Sequence, residues 1–317
     1  MLFRSRYAPF PGGSEYYVQQ MAEECVRRTW DVTVFTGEHQ GNLNGVRVTS
    51  DSNDLLKRYD AIIVHGGDVG VQNFVLQNAK RIPSPILYMI IKPSESEVCL
   101  QALKDCMYIG CSAPEDWDHV KKYGVEKKSY RLNHGIAPTD CIGVEGSFKA
   151  KFGIPENKRM FLSCGGYWQN KKMIELAEAF KKADLKDAVL VTTGYDNRFG
   201  LMPKESDNVI PLMIPDPADV KDAIADADCY IMNSDAEGFG LVILESMLNM
   251  TPWISREIAG AKLLKQHGIT YQTEDQLVEI LKNFNPNKEQ IVNAYRYVIA
   301  NHLIEHTVND IEEIINR

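Results

Sequence analysis

Short apolar runs rich in β-branched residues alternate with amphipathic stretches along most of the chain. Typical runs are residues 61–64, 188–192 and Cys229–Met232, and each has the length of one buried parallel strand. The stretches between the runs, such as residues 14–28 and 171–183, carry apolar side chains at helical spacing. Because strand and helix alternate, the sequence predicts parallel sheets with helices on both faces, which is an α/β fold of doubly wound, Rossmann-like domains.

A segment rich in glycine and small residues, residues 137–153, interrupts this alternation and lacks clear periodicity. A chain of 317 residues has the length of two domains. We therefore predict one Rossmann-like domain over residues 1–140 and a second over residues 141–317, which includes the helical patterns at the end of the chain. Ligands of doubly wound folds bind at the carboxyl ends of the strands, so both sheets are expected to face one cleft.

The composition argues against several other classes of protein. Seven cysteines without a C-x-x-C pair indicate neither a disulfide framework nor a zinc knuckle, and we expect them to be reduced core residues. The net charge of −8 opposes binding to the phosphate backbone of nucleic acids. The apolar runs are shorter than a membrane span, and the first residues lack the apolar core of a signal peptide, so a cytoplasmic protein is predicted.

The most specific stretch follows the third of these apolar runs and reads S-D-A-E-G-F-G-L-V-I-L-E over residues 234–245. Gly238 and Gly240 allow backbone amides to approach a ligand, and a helix that begins near Gly240 directs free N–H groups at an anion. Carboxylates accept hydrogen bonds from sugar hydroxyls, so Glu237 and Glu245 favour a ligand with both phosphate and hydroxylated rings. The alternative is structural, with Glu237 capping the helix and Glu245 on its solvated face.

This stretch resembles the signature E-G-F-G-L-x-x-x-E of the retaining GT-B glycosyltransferases of family GT4, and the match runs from Glu237 to Glu245. The resemblance extends over nearly the whole chain. Further matching segments are residues 11–15 (P-G-G-S-E), 111–112 (C-S), 133–136 (N-H-G-I), 163–166 (S-C-G-G) and 258–260 (I-A-G). It implies the GT-B fold, with an N-terminal acceptor domain and a C-terminal domain that binds a nucleotide sugar.

The resemblance also implies roles for individual residues. Glu237 is expected to contact the donor hexose and Glu245 the nucleotide ribose, while the glycine loop at residues 12 and 13 approaches the diphosphate from the other domain. The expected donor-binding residues are Gly12, Gly13, Gly238, Phe239, Gly240, Leu241 and Glu245. For the glycine loop, the alternative is an ordinary tight turn before a helix.

Two positions depart from the family pattern. Where the family has an arginine and a lysine five residues apart, this chain has Gly166 and Lys171. Lys171 and the N-terminus of its helix are predicted to neutralise the departing diphosphate, with Lys172 and Arg198 as candidates for the missing charge; the alternative is an ordinary surface lysine. Lys92 stands where the family often has a histidine and is expected to pair with a phosphate or an anionic acceptor. The predicted catalytic residues are therefore Glu237, Lys171 and Lys92.

Three other features carry weaker expectations. His65 ends a predicted strand and is either a structural residue or a residue of the cleft. His302 and His306 have the helical spacing of two metal ligands, but no third ligand accompanies them. A basic group is compatible with anionic lipid headgroups or with an ordinary solvated surface. It comprises Lys121, Lys122, Lys127, Lys128 and Arg131.

These expectations together describe a metal-independent, retaining glycosyltransferase that needs no cofactor. It would move a hexose from a UDP- or GDP-linked donor to a hydroxyl of a glycan, a lipid-linked molecule or a protein. One alternative is a partner subunit that binds a nucleotide sugar and has lost turnover, because Gly166 and Lys92 depart from the family pattern. Another is a related GT-B enzyme that acts by epimerisation or phosphorolysis.

Overall fold

The computed structural model describes residues 1–4, 6–10, 12–66, 70, 73, 78–214 and 216–317. The chain divides into two units. The first unit comprises Met1–Gly135 together with His302–Arg317, and the second comprises Ile136–Asn301. Each unit contains a predominantly parallel sheet with helices, so the predicted α/β class is confirmed.

The first unit contains a mainly parallel sheet. Its strands are β1 (Leu2–Phe3), β2 (Thr33–Phe35), β3 (Gly41–Leu43), β4 (Val46–Thr49), β5 (Ile62–His65), β6 (Ile86–Met89), β7 (Tyr108–Cys111) and β8 (Ser129–Arg131). The strand order is β3-β4-β2-β1-β5-β6-β7-β8, and β3 pairs antiparallel with β4. The helices described before the chain leaves this unit are α1 (Gly13–Arg27), α2 (Glu97–Asp105) and α3 (Pro114–Lys122).

The second unit contains a parallel sheet. Its strands are β9 (Arg159–Cys164), β10 (Ala188–Gly194), β11 (Val209–Met213), β12 (Cys229–Met232), β13 (Trp253–Arg256) and β14 (Ile269–Tyr271), in the order β11-β10-β9-β12-β13-β14. Its helices are α4 (Pro138–Cys141), α5 (Ser147–Phe152), α6 (Met173–Ala183), α7 (Pro217–Asp226), α8 (Leu241–Leu248), α9 (Ala259–Leu264), α10 (Glu274–Lys282) and α11 (Lys288–Asn301).

Alternate residues of the central strand β9 pack into different apolar clusters. Met160 and Leu162 join a cluster that includes Ile243 of α8, whereas Phe161 joins one that includes Phe180 of α6. Successive side chains of a strand point to opposite faces. Both faces of this sheet are therefore covered, which explains why its strands are continuous apolar runs rather than alternating ones.

The last helix, α12 (Ile304–Ile315), differs from the prediction because it belongs to the first unit. It packs against α1, and Thr307 donates a hydrogen bond from Oγ1 to the carbonyl oxygen of Asn133 at 2.7 Å. A Cβ at Gly135 would lie 2.1 Å from the carbonyl oxygen of Leu303, so the chain can cross here only at a glycine. The boundary thus falls between residues 135 and 136 instead of 140 and 141.

Three further features of the fold bear on the predictions. All seven cysteines are buried, and none of them is joined in a disulfide. Within the parts of the chain listed above, no helix is long and apolar enough to cross a membrane. The strand β11 contains Pro211, and the sequence pattern does not predict it; β11 lies at the edge of its sheet, where a proline is tolerated.

Candidate functional site

The loop between β12 and α8 contains three of the seven predicted donor-binding residues, and α8 itself contains two more. Gly240 precedes α8 in a left-handed conformation with φ of 90°, which a residue with a side chain adopts only at a cost. A Cβ at this position would also lie 3.0 Å from Sδ of Met232. The sharp turn directs the first N–H groups of α8 toward the carboxyl end of the sheet, where an anion would be stabilised.

Lys171 and Glu237 form a direct ion pair. The ammonium of Lys171 donates to Oε1 of Glu237 at 2.6 Å, and both side chains are largely buried, with exposures of 18% and 14%. Lys171 follows β9 and Glu237 follows β12, and these two strands are neighbours in the sheet. The structure therefore brings together two of the three residues predicted to be catalytic.

Backbone and amide hydrogen bonds fix the distance between the two loops that carry this pair. The N–H of Asp235 donates to the carbonyl oxygen of Asn170 at 2.9 Å, and Nδ2 of Asn170 donates to the carbonyl oxygen of Ala236 at 3.0 Å. Nδ2 of Asn233 donates to the carbonyl oxygen of Lys172 at 2.8 Å. Asn233 is not among the predicted residues, although a polar residue directly after an apolar strand is the signal that would have indicated it.

Glu245 lies in the second turn of α8 and is the least satisfied acidic group of the site. The residue is half-buried, yet desolvation raises the pKa of its carboxyl group to about 7. No N–H or O–H group within the described residues donates to this carboxyl group. Burial, and then the charge of Glu245, raise the pKa of the neighbouring Cys164 thiol to about 12, so that thiol is neutral and unreactive.

Phe239 holds the glycine turn against the start of α9. Its side chain is buried, and its carbonyl oxygen accepts a hydrogen bond of 3.0 Å from the N–H of Gly260 at the start of α9. A Cβ at Gly260 would lie 2.4 Å from that same oxygen, so only glycine allows this approach. Gly238 and Leu241, on either side of the turn, are half-buried.

The position predicted to lack the family arginine is filled by an aromatic ring. A Cβ at Gly166 would lie 2.6 Å from Cε2 of Trp168, so the indole occupies the space that a side chain at residue 166 would need. Trp168 packs edge-on against Tyr195 at 5.8 Å between ring centroids. Trp168 is not among the predicted residues, because nothing in the order of residues shows that its ring folds back over Gly166.

In the first unit, Gly12 and Gly13 lie at the N-terminus of α1, as predicted. A Cβ at Gly12 would lie 2.0 Å from Oε2 of Glu15, and Glu15 forms ion pairs with Arg4 at 3.2 Å and Arg6 at 3.3 Å. The glycine loop is therefore already lined by a carboxylate, and the two arginines leave it with a net positive charge.

The other candidates of the first unit are Lys92, His65 and the basic group, and their surroundings differ. Lys92 is exposed in the segment after β6. His65 is buried, and its Nδ1 lies 3.3 Å from Nη1 of Arg4, which supports the structural alternative. Within the basic group, Lys122 pairs with Glu95, and Lys128 donates to two backbone carbonyls, so two of its charges are engaged within the protein.

The Nδ1 atoms of the histidine pair near the C-terminus are both engaged within the protein. Nδ1 of the buried His302 lies 2.7 Å from the carbonyl oxygen of His134, and Nδ1 of His306 accepts a hydrogen bond from the N–H of Leu303 at 3.1 Å. Over the residues with described positions, no group of three acidic, histidine or cysteine side chains could hold a metal ion.

Comparison with known proteins places this site in context. Residues 145–302 match the family model described as "Glycosyl transferases group 1". Among curated proteins, N-acetyl-alpha-D-glucosaminyl L-malate synthase of Bacillus anthracis is 27% identical over 149 residues, which are 43% of this chain and 39% of that protein. The chain thus aligns with about two fifths of that relative's length.

Solved structures resemble the chain over its whole length. Sucrose-phosphate synthase from Thermosynechococcus elongatus superimposes with a TM-score of 0.79 and 16% identity, covering 99% of this chain and 97% of that one. HepE from Anabaena in complex with UDP-glucose gives a TM-score of 0.78 and 15% identity, covering 99% and 98%. At these identities the likeness establishes the fold, and the predicted GT-B fold is confirmed.

Proposed function

We propose that this chain, whose residues 145–302 belong to the glycosyl transferases group 1 family, transfers a hexose from a nucleoside diphosphate sugar to a hydroxyl acceptor with retention of anomeric configuration. One observation carries the proposal. The Lys171–Glu237 pair lies at the carboxyl ends of neighbouring strands, and the glycine turn and N-terminus of α8 follow directly after Glu237.

Each part of the donor has a matching group in the second unit. The carboxyl group of Glu245 has no hydrogen-bond donor among the described residues, and the two adjacent hydroxyls of a ribose would supply it with two hydrogen bonds. The N–H groups at the start of α8 would hold a phosphate. Glu237, which forms the ion pair with Lys171, would accept hydrogen bonds from the hydroxyls of the hexose.

The chemical step breaks the bond between the anomeric carbon and the diphosphate oxygen. The electron pair leaves with the diphosphate, whose growing charge Lys171 and the N–H groups of α8 would stabilise. The acceptor oxygen forms its bond on the same face of the sugar, and its proton passes to an oxygen of the departing phosphate. Because protein groups supply the stabilising charge, we propose that no metal ion is needed.

The donor is proposed to be UDP- or GDP-linked. HepE, which shares this fold, is described in complex with UDP-glucose, and the curated relative is named N-acetyl-alpha-D-glucosaminyl L-malate synthase. The first description contains a sugar nucleotide and the second an N-acetylglucosaminyl group, and both fit the proposed transfer of a hexose unit. The acceptor is proposed to be a hydroxyl group of a glycan, a lipid-linked molecule or a protein.

A donor screen tests the proposal. The protein is incubated with UDP-, GDP- and ADP-linked hexoses and with a panel of hydroxyl acceptors, with and without EDTA, and release of nucleoside diphosphate is measured. We expect nucleoside diphosphate to be released from one class of donor, and EDTA should not reduce this release. The NMR coupling constant of the product should show the anomeric configuration of the donor. An inverted product would contradict retention, and metal-reversible loss of activity in EDTA would contradict metal independence.

One observation favours a second candidate function, a partner subunit that binds the donor without turning it over. The indole of Trp168 fills the place of the family arginine, and Lys171 is neutralised by Glu237, so the diphosphate meets less positive charge than in the family pattern. Firm binding of a nucleotide sugar by calorimetry, with no release of diphosphate for any acceptor, would establish this alternative.

A further inference from the structure

The proposed donor brings a negatively charged diphosphate to a part of the second unit where positive charge is already engaged. Glu237 and Glu245 are acidic, and the ammonium of Lys171 is paired with Glu237. The ammonium of Lys172 lies 3.2 Å and 3.7 Å from two other carboxylates. Holding a diphosphate away from water without another cation would be costly. This requirement for charge rests on the proposed function, and it predicts a second cation near Lys171.

The carboxylate of Asp196 holds Arg198 in the loop after β10. Its backbone N–H donates to Oδ1 of Asp196 at 3.0 Å, and its Nε donates to Oδ2 at 2.7 Å. The backbone N–H of Arg198 is the largest cause of the lowered pKa of Asp196, to which the guanidinium and the indole N–H of Trp168 also contribute. Asp196 thus joins Arg198 to the same indole that covers Gly166.

The outer edge of the Arg198 guanidinium is available to a ligand. Only the backbone N–H and Nε are engaged, and neither Nη nitrogen has a partner within the described parts of the chain. The side chain is 63% exposed. A guanidinium has five N–H donors in a planar fork that matches two phosphate oxygens. Because Asp196 fixes the Nε edge, the free donors are oriented before any ligand arrives.

The loop that carries Arg198 begins beside the position of Lys171. A Cβ at Gly165 would lie 3.1 Å from Cε of Lys171, and a Cβ at Gly194, the last residue of β10, would lie 2.8 Å from the carbonyl oxygen of Gly165. The N–H of Tyr167 donates to the carbonyl oxygen of Asp196 at 2.9 Å. The two cations therefore extend from adjacent loops at the carboxyl ends of β9 and β10.

We propose that Arg198, oriented by Asp196, binds the diphosphate of the nucleotide donor and supplies the positive charge that a residue at position 166 cannot supply. The glycine at position 166 and the tryptophan at position 168 belong to the same arrangement. The indole takes the space of a side chain at residue 166, and its N–H helps to hold the carboxylate that orients Arg198.

Isothermal titration calorimetry of the full chain tests this assignment with UDP, GDP and the corresponding nucleosides. In Arg198→Met, affinity for the nucleoside diphosphate that binds the wild type should fall about 10- to 100-fold, the range for loss of charge-assisted hydrogen bonds. Affinity for the nucleoside should change less than about twofold, since the nucleoside carries no phosphate. Inorganic pyrophosphate should compete with the nucleoside diphosphate for binding to the wild type, and this competition should be weaker or absent in the variant.

Arg159→Met is the matched control. Arg159 pairs with Asp187 through Nε at 2.9 Å and Nη2 at 3.1 Å, and it lies at the opposite end of β9, so this variant should bind diphosphates like the wild type. Equal diphosphate affinity in Arg198→Met and wild type would overturn the inference and leave the proposed function standing. A wild type that binds no nucleoside diphosphate would overturn both.

Discussion

Replacement of Glu245 by glutamine should stabilise the free protein while weakening its binding of nucleotide. Desolvation raises the pKa of this carboxyl group from its ordinary value of 4.5 to about 7. Between these two values the folded protein binds a proton that the unfolded chain has released. The free energy of unfolding therefore falls as pH rises through this range, and the loss is complete above the folded pKa. Glutamine, which does not ionise, removes the loss.

The magnitude follows from the two pKa values. The cost of Glu245 to the free energy of unfolding is at most about 1 kcal/mol at pH 5, about 2 kcal/mol at pH 6 and about 3 kcal/mol at pH 7 and above. Urea unfolding of wild type and Glu245→Gln at pH 5, 6, 7 and 8 should show a difference that grows along this series. Glu156→Gln is the control, because Glu156 is exposed. The difference in the free energy of unfolding between this variant and the wild type should be the same at all four pH values.

The same substitution should weaken binding of nucleoside diphosphate by about 1–3 kcal/mol at pH 8, because a charged acceptor of ribose hydroxyls is lost. Stability gained together with affinity lost would identify Glu245 as a group kept for its ligand at the expense of the fold. A stability difference that is the same at pH 5 and pH 8 would refute the raised pKa of Glu245 and its cause, the desolvation of the carboxyl group. Unchanged nucleotide affinity would refute the ribose contact.

Three further substitutions address the remaining assignments. Glu237→Gln should lower the rate of transfer while calorimetry finds the affinity for plain nucleoside diphosphate unchanged or increased, since Lys171 loses its partner; equal losses in both would contradict the sugar role. Gly260→Ala should destabilise the protein by about 1–3 kcal/mol in urea unfolding, because the new Cβ meets the carbonyl oxygen of Phe239; an unchanged midpoint would show that the α9 turn can relax. Lys92→Met should reduce donor turnover by about one to three orders of magnitude if Lys92 stabilises charge in the reaction, and unaltered turnover would make Lys92 a bystander.

The periodicity of the sequence predicts the α/β class and the bounds of β12, because a buried strand and an amphipathic helix leave local patterns. The destination of α12 is not predictable in the same way. Its apolar residues, such as Val308 and Ile311, require that one face be buried, but they do not specify which unit covers it. That choice depends on contacts such as the one between Thr307 and Asn133, which are remote in sequence.

The candidate site likewise has one part that the sequence predicts and another that it does not. The motif from Glu237 to Glu245 is contiguous, so the sequence alone indicates the turn, the helix start and both carboxylates. The contact between Lys171 and Glu237 depends on strand order, which places β9 beside β12 although β10 and β11 lie between them in sequence. The position of the Trp168 ring over Gly166 depends on side-chain orientation, which no spacing of residues encodes.

The two units should respond to pH in opposite directions. Burial, and then the charge of His302, lower the pKa of His134 in the first unit from 6.5 to about 3, and burial also lowers the pKa of His65. Below pH 6.5 the unfolded chain binds protons that these buried rings do not bind, so the two histidines destabilise the first unit as pH falls, by about 1–2 kcal/mol at pH 5.5 for His134 alone. Desolvation raises the pKa of Asp116 in the same unit to about 6, and this carboxyl group offsets only part of that loss between pH 8 and pH 5.5. Glu245 has the opposite effect on the second unit.

Hydrogen exchange followed by mass spectrometry reads the two units separately. After correction for the intrinsic pH dependence of exchange, peptides that cover β5 should be better protected at pH 8 than at pH 5.5, and peptides that cover α8 should be better protected at pH 5.5. In Glu245→Gln the preference of α8 should disappear while that of β5 persists, because the histidines are unchanged. A change of the same sign in both sets of peptides would mean that the chain opens as one cooperative body, and the separate pH dependence of the two units would be wrong.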